Sequence, residues 1–337
     1  MLNQSLKLNT KIFNDDVEKV STREGFGKGL LQAGIENENV VALSADLTES
    51  TKTNIFAEKF PNRFINVGVA EQNLATVASG MASMGKIPFI ASYAIFSPGR
   101  NWEQIRTTIC YNNQPVKIIG SHGGLSVGPD GGSHQMLEDI ALMRVLPNMV
   151  VISPCDSIEA KKATIACAKT SEPTYIRLAR NNTPIITTDE TPFEIGKAQI
   201  VYNPEVGLAH VGIIATGPIL YKAIIAAHEL EKKGIKVKVM NLPTIKPLDV
   251  TAIVALAKET KCIVTAEDHQ IAGGMGSAVA EYLAENYIVP MEFVGVKNQF
   301  GQSGTPEELE KHYKIDVSNI MAKVQKCFKE KKLAISN

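Results

Sequence analysis

The run Asn66-Val-Gly-Val-Ala-Glu-Gln-Asn73 places a carboxylate where acid–base chemistry becomes possible. Before it, residues 63–67 alternate and branch like a short strand. After it, Leu74, Val77, Ala78 and Met81 recur at helical spacing. Gly68 permits a tight turn between the two, so Glu71 is predicted in the first turn of a helix at the edge of a sheet. Open α/β sheets hold ligands just beyond the carboxyl ends of their strands. A lone Glu at such a place does no more than offset the helix dipole, worth about 0.3–1 kcal/mol. Three other stretches argue that it is not alone.

The first runs from Gly120 to Gln135, leaving an apolar strand and entering the helical pattern 137–146. Six glycines fall within these sixteen residues, far more than a simple connection needs. They let backbone amides come close to a ligand. His122, Asp130 and His134 ride on this loop. Their spacing fits no common metal-ligand pattern; as hydrogen-bond donors or proton shuttles they suit a polar substrate. The plain alternative is a glycine-rich surface loop with solvated histidines. In the second stretch, Tyr93 and Phe96 follow the apolar run 87–91. An aromatic at a strand's carboxyl end can stack on a flat ring for about 0.5–1.5 kcal/mol beyond area burial, although taken singly such residues are ordinary core. The third group is dispersed. Arg23 opens a helix, Ser50 precedes another and Arg180 follows a strand. Guanidinium groups and helix N-termini both suit phosphate, whereas a single arginine is usually solvated.

The elements that must position these residues are legible in outline. Strands are predicted over 40–44, 64–67, 87–91, 116–121, 149–152 and 174–178, with helices beginning near Thr22, Thr51, Glu71, Gly99, Gln135 and Asp156. This alternation implies a mostly parallel sheet covered by helices on both faces. From Asn181 to Gly196 the composition turns to Asn, Thr, Pro and acidic residues, as in a surface linker. Strands at 210–215, 236–241, 261–266 and 291–296 then alternate with helices at 218–233, 248–260 and 273–285. The fold class is therefore α/β with two doubly wound domains. The divisions are a lead at 1–20, a first domain at 21–185, a linker at 186–197 and a second domain at 198–332. In the second domain, Glu267-Asp-His-Gln-Ile-Ala-Gly-Gly-Met-Gly276 opens a helix. It reads either as an anion site or as close helix–strand packing.

Composition narrows the partners. The chain has 337 residues, with 35 Lys plus Arg against 35 Asp plus Glu, so no global field favours nucleic acid or an anionic membrane. No apolar run approaches the ~20 residues that span a bilayer, and residues 1–19 lack the apolar core of a signal peptide. Five cysteines are scattered without paired spacing and read as reduced thiols of a cytoplasmic protein.

Taken together, Ser44-Ala-Asp-Leu-Thr-Glu-Ser50, Gly68-Val-Ala-Glu71, Gly128-Pro-Asp-Gly-Gly-Ser-His-Gln135 and Arg180-Asn-Asn resemble the carboxyl-terminal half of the transketolase family of thiamine-diphosphate enzymes. The resemblance runs from about Thr22 to Lys329 and is nearest to the smaller subunit of a split transketolase. It implies a pyrimidine-binding domain followed by a transketolase C-terminal-type domain. Glu71 would hydrogen-bond N1′ of the cofactor's aminopyrimidine and help activate the thiazolium carbon. Phe96 and Tyr93 would stack on the pyrimidine, and Asp46 would lie near the cofactor and the subunit interface. His122, Asp130 and His134 would face the sugar, with His122 and His134 in the chemistry. Arg23, Ser50 and Arg180 would grip the substrate's phosphate.

Departures matter as well. Ala70-Glu71-Gln72 is closer to the deoxyxylulose phosphate synthase pattern than to transketolase's Arg-Glu-His, whereas His122 has its counterpart in transketolase. The family binds diphosphate and Mg²⁺ through Gly-Asp-Gly followed by Asn on a preceding domain, and no such segment occurs here. The resemblance therefore implies an N-terminal partner subunit holding diphosphate and metal, and a self-dimer giving a heterotetramer. The expected activity is transfer of a two-carbon ketol unit between sugar phosphates. Deoxyxylulose phosphate synthesis, a 2-oxoacid dehydrogenase β subunit and a catalytically idle stabilising subunit are the alternatives.

Overall fold

Apolar runs without alternation belong in strands covered on both faces. Residues 40–44 and 117–121 are buried throughout their length. The structure is a computed structural model that describes residues 1–336, with side chains described as far as 331. In the first domain the strands are β1 (Lys19–Ser21), β2 (Val40–Ser44), β3 (Phe64–Asn66), β4 (Ile87–Tyr93), β5 (Lys117–Ser121), β6 (Val150–Ile152), β7 (Thr174–Arg177) and β8 (Asn182–Pro184). The second domain contributes β9 (Gln199–Tyr202), β10 (Val211–Ala215), β11 (Val237–Asn241), β12 (Thr244–Lys246), β13 (Ile263–Gln270) and β14 (Met291–Val296).

The first sheet has the order β12-β6-β7-β5-β4-β2-β3 and is parallel except at β12. The second has the order β14-β13-β10-β11-β9, with β9 alone antiparallel. The two doubly wound α/β domains are thus as expected, but β12 is not. It belongs to the second domain by sequence and yet pairs with β6, so the domains share a sheet edge. Its three residues carry no periodicity from which this pairing could be read.

The composition of 181–196 predicts a surface stretch, but its middle does not lie on the surface. Ile185, Ile186 and Thr187 are buried. The Asp156 carboxylate caps the Ser157–Cys167 helix through Glu159 N at 2.8 Å and also accepts the amides of Ile186 (2.8 Å) and Thr187 (2.6 Å). One buried acid therefore satisfies a helix end and a chain crossing together. The lead is docked rather than loose. Leu8 and Ile12 join the apolar core of the second domain, and Asn3 N donates to Val201 O at 3.0 Å.

The Thr22–Glu36 helix carries four glycines despite a cost near 1 kcal/mol each relative to Ala. Close packing explains two of them. A Cβ at Gly25 would lie 1.8 Å from Ser157 O, and one at Gly29 would lie 2.8 Å from Lys161 O. Only bare backbone lets this helix lie against Ser157–Cys167, and that contact fixes Arg23 at the head of the sheet. Helix starts predicted at Thr51, Gly99 and Gln135 fall later, at Asn54, Trp102 and Asp139. Turns consume the intervening residues; at the first, Thr51 and Thr53 hydroxyls donate to the carbonyls of Leu47 and Thr48. All five cysteines are buried and unbridged. Among the described residues no helix is long and apolar enough to cross a membrane.

Candidate active site

Five neighbouring parallel strands, in the order β7-β5-β4-β2-β3, deliver the predicted residues from their carboxyl ends. Asp46 follows β2, Glu71 follows β3, Tyr93 ends β4 with Phe96 three residues beyond, His122 follows β5 and Arg180 follows β7. Arg23 comes from the head of the Thr22–Glu36 helix. The crevice of an open α/β sheet is thus where the chemistry-bearing side chains collect.

Glu71 is the first residue of the Glu71–Ser83 helix and is only 2% exposed. Its Oε2 accepts Arg100 Nη1 at 2.7 Å, and its carbonyl accepts Asn101 Nδ2 at 2.8 Å. The Arg100 guanidinium also lies 4.9 Å from the Phe96 ring centroid. Phe96 and Tyr93 are near-parallel, 12° apart with centroids at 6.1 Å, and Tyr93 stacks on His122 at 3.8 Å. His134 meets the edge of Phe96 at 5.7 Å. Glu71, Arg100, Phe96, Tyr93, His122 and His134 therefore form one unbroken series of contacts.

His122 is buried, adopts a φ of +58° and pairs its Nδ1 with Ser121 Oγ at 2.9 Å. Burial, followed by the positive charges of Arg23 and Arg180 and by His134, pushes its pKa down to about 3. The ring is neutral at pH 7, able to accept as well as donate. Arg23 Nη1 donates to Ser50 O at 2.8 Å, while its buried Nε has no protein partner. Burial also lowers its pKa from the ordinary value. Arg180 donates through Nη1 to Val127 O and to Asp130 Oδ1 at 3.3 Å, and its amide donates to Ser126 Oγ at 3.0 Å. The structure thus brings Arg23 and Arg180 around His122. Ser50 meets Arg23 through its backbone carbonyl, not through its hydroxyl. Asp46 is exposed and held in a left-handed turn by Asn66 Oδ1, which accepts Asp46 N at 3.1 Å and Gly68 N at 3.0 Å.

Sequence reasoning missed Asn66, Arg100 and Asn101. Asn66 had a usable signal, an Asx residue closing a strand two residues before a Gly. Arg100 had none, since its partner lies 29 positions away. In the second domain, Glu267 itself occupies the head of the Met275–Asn286 helix, accepting Met275 N at 2.7 Å and Gly276 N at 2.8 Å. That internal carboxylate fills the anion position, which leaves the packing reading. Among the described residues no group of three or more His, Cys, Asp or Glu side chains could hold a metal ion. A cavity of about 590 Å³ lies away from Glu71, between the domains, bordered by Phe13, Ser126, Lys222, Asp268 and Glu310.

The chain is thus two doubly wound α/β domains, with a buried carboxylate and stacked rings at the mouth of the first. Residues 18–185 match the transketolase pyrimidine-binding domain family and residues 203–320 match the transketolase C-terminal domain family. A Methanocaldococcus jannaschii protein provisionally described as a transketolase C-terminal section is 42% identical over 311 residues, covering 91% of this chain and 96% of its own. A 6-deoxy-6-sulfo-D-fructose transketolase subunit of Clostridium sp. strain MSTE9 is 36% identical over 309 residues, covering 92% and 95%. A solved structure described as a split-gene transketolase, inactive β4 tetramer, superposes with a TM-score of 0.85 at 43% identity, covering 92% of this chain and 99% of that one. The chain belongs to the transketolase family.

Proposed function

We propose that the chain is the C-terminal subunit of a cytoplasmic split transketolase. In this reading it transfers a two-carbon ketol unit between sugar phosphates as a heterotetramer with an N-terminal subunit. The reading is carried by the contact series from Glu71 through Phe96 and Tyr93 to His122, with Arg23 and Arg180 around its far end. One buried carboxylate beside two ring faces fits the pyrimidine end of thiamine diphosphate. Diphosphate and Mg²⁺ are assigned to the partner chain. When bound, the cofactor supplies the electron sink that ketol transfer needs. A split-gene transketolase structure 43% identical, described as an inactive β4 tetramer, supports the need for a second subunit.

Each residue has a physical task in this scheme. Glu71 would hold the pyrimidine nitrogen N1′ through a shared proton, with Arg100 fixing the carboxylate's orientation by engaging Oε2. Phe96, with Tyr93 beside it, would hold the pyrimidine ring, and Asp46 would stand at the subunit boundary. Neutral His122 meets a sugar hydroxyl and passes a proton, with His134 across the Phe96 edge. Arg23, with its unpaired Nε, and Arg180 take the phosphate, assisted by the Ser50 turn; Asp130 releases Arg180 to do so.

The direct test mixes this chain with its N-terminal subunit, thiamine diphosphate and Mg²⁺. Ketol transfer from xylulose phosphate to ribose phosphate is expected only when both chains are present. Consumption of pyruvate in place of the ketose would favour the synthase chemistry and overturn this assignment. Replacing Arg180 by Ala should raise KM for phosphorylated sugars roughly ten- to hundredfold, the loss of one charge-assisted contact, and affect unphosphorylated analogues far less. Equal effects on both substrate types would remove Arg180 from the phosphate grip.

A further inference from the structure

Every residue placed on the substrate loop lies within a few positions of a contact with the second domain. At its start, Leu125 N lies 3.1 Å from both carboxylate oxygens of Asp268, a β13 residue. Gly124 has a φ of +74°, and a Cβ there would lie 2.1 Å from Asp268 Oδ2, so the carboxylate and the bare backbone are fitted to each other. Arg177 stands between them, donating to Asp268 O at 2.7 Å, to Asp139 Oδ2 at 2.8 Å and to Met136 O at 3.3 Å. Tyr175 OH donates to the same Asp139 oxygen at 2.6 Å. Gly124 N donates to Met136 O at 2.8 Å, closing the neck of the loop. At its far end, Gln135 Nε2 donates to Gln302 O at 3.0 Å and Gly128 O at 3.1 Å. A Cβ at Gly132 would lie 2.5 Å from Gly301 O. At Gly124 and Gly132 the loop lays bare backbone against the second domain, and between them Leu125 is buried in that domain's core.

We propose that the second domain is part of the substrate site, and that Asp268 is a positioning residue that holds the loop from Gly123 to Val127 where Arg180 and His122 can meet the substrate. The link to Arg180 is short, because Ser126 and Val127, the next two residues, supply its amide and side-chain acceptors. Burial raises the Asp268 pKa from the ordinary carboxyl value, which a role as a solvated surface acid would not produce. If the network only glued the domains together, its loss would lower stability and leave substrate affinity alone. The effect on substrate rests on the transketolase reading; the effect on the loop does not.

Two measurements separate these roles. In the isolated chain, Asp268→Ala should speed amide exchange of residues 123–127 roughly tenfold or more, given the loss of a hydrogen bond to a charged group, with the Glu71–Ser83 helix unchanged. In the assembled complex, the same variant should raise KM for xylulose phosphate about tenfold while kcat falls less. Asp268→Asn, which keeps an acceptor for Leu125 N, should restore KM to within about twofold. Glu267→Gln serves as the packing control, expected to lower Tm without changing KM. Should Asp268→Ala not fold, Gly301→Ala applies the same test, since its Cβ would lie 1.7 Å from Gln135 Oε1 and displace the loop's other anchor. Unchanged exchange, or unchanged KM in folded variants of an active wild-type complex, overturns the proposal. A wild-type complex with no ketol transfer would instead refute the functional reading and leave the exchange result standing.

Discussion

Glu71→Gln in the assembled complex is expected to lower kcat at least a hundredfold, the scale of losing a positioned acid–base group. Glutamine matches the carboxylate in volume and keeps the backbone carbonyl that Asn101 holds. What it loses is the charge paired with Arg100 and the ability to share a proton with a ring nitrogen. A fold defect is not expected, because Glu71 caps no amide through its side chain. The check is steady-state transfer by the complex, alongside proof that the variant still assembles with its partner. Near wild-type turnover would exclude the proposed mechanism and leave the idle, stabilising subunit as the better account.

The isolated chain is expected to bind thiamine diphosphate only at millimolar concentration. Its share of the site offers ring stacking, about 0.5–1.5 kcal/mol, and one hydrogen bond to a charged group, about 1.5–3 kcal/mol. Their sum of at most ~4.5 kcal/mol corresponds to a Kd near 1 mM. The diphosphate and its metal, which carry most of the cofactor's charge, find no built cradle among the residues placed here. Titration calorimetry with and without the N-terminal subunit measures the difference, expected to exceed a hundredfold. Micromolar binding by this chain alone would contradict a divided site.

The part of the site that sequence made legible depends on local rules. Glu71 was found because a glycine turn separates a period-two pattern from a helical one. Tyr93, Phe96, His122 and Arg180 can be placed at strand ends from apolar runs, but taken singly they read as core, loop or surface, and the family resemblance is what groups them as site candidates. Residues whose partners are remote in sequence stayed hidden. Arg100 carries no local signal, because the carboxylate it engages lies 29 positions away on another element. Asp268 sits within a motif that reads as an anion site or as packing, and its contact 143 positions away on the glycine-rich loop has no sequence signature. The linker misleads for a related reason at its middle, where Thr187 and the amide of Ile186 serve a buried acid, while Asn182, Asp189 and Glu190 do face solvent.

The borrowed strand β12 carries a consequence for how this molecule can be divided. Cleaving the polypeptide at residues 188–197 and parting the halves would strip β6 of a neighbour and leave a bare ladder of amides and carbonyls. Such an edge invites stray strands and hence insoluble material. Gene shuffling or truncation that treats the two halves as interchangeable cassettes therefore works against the molecule's own seam.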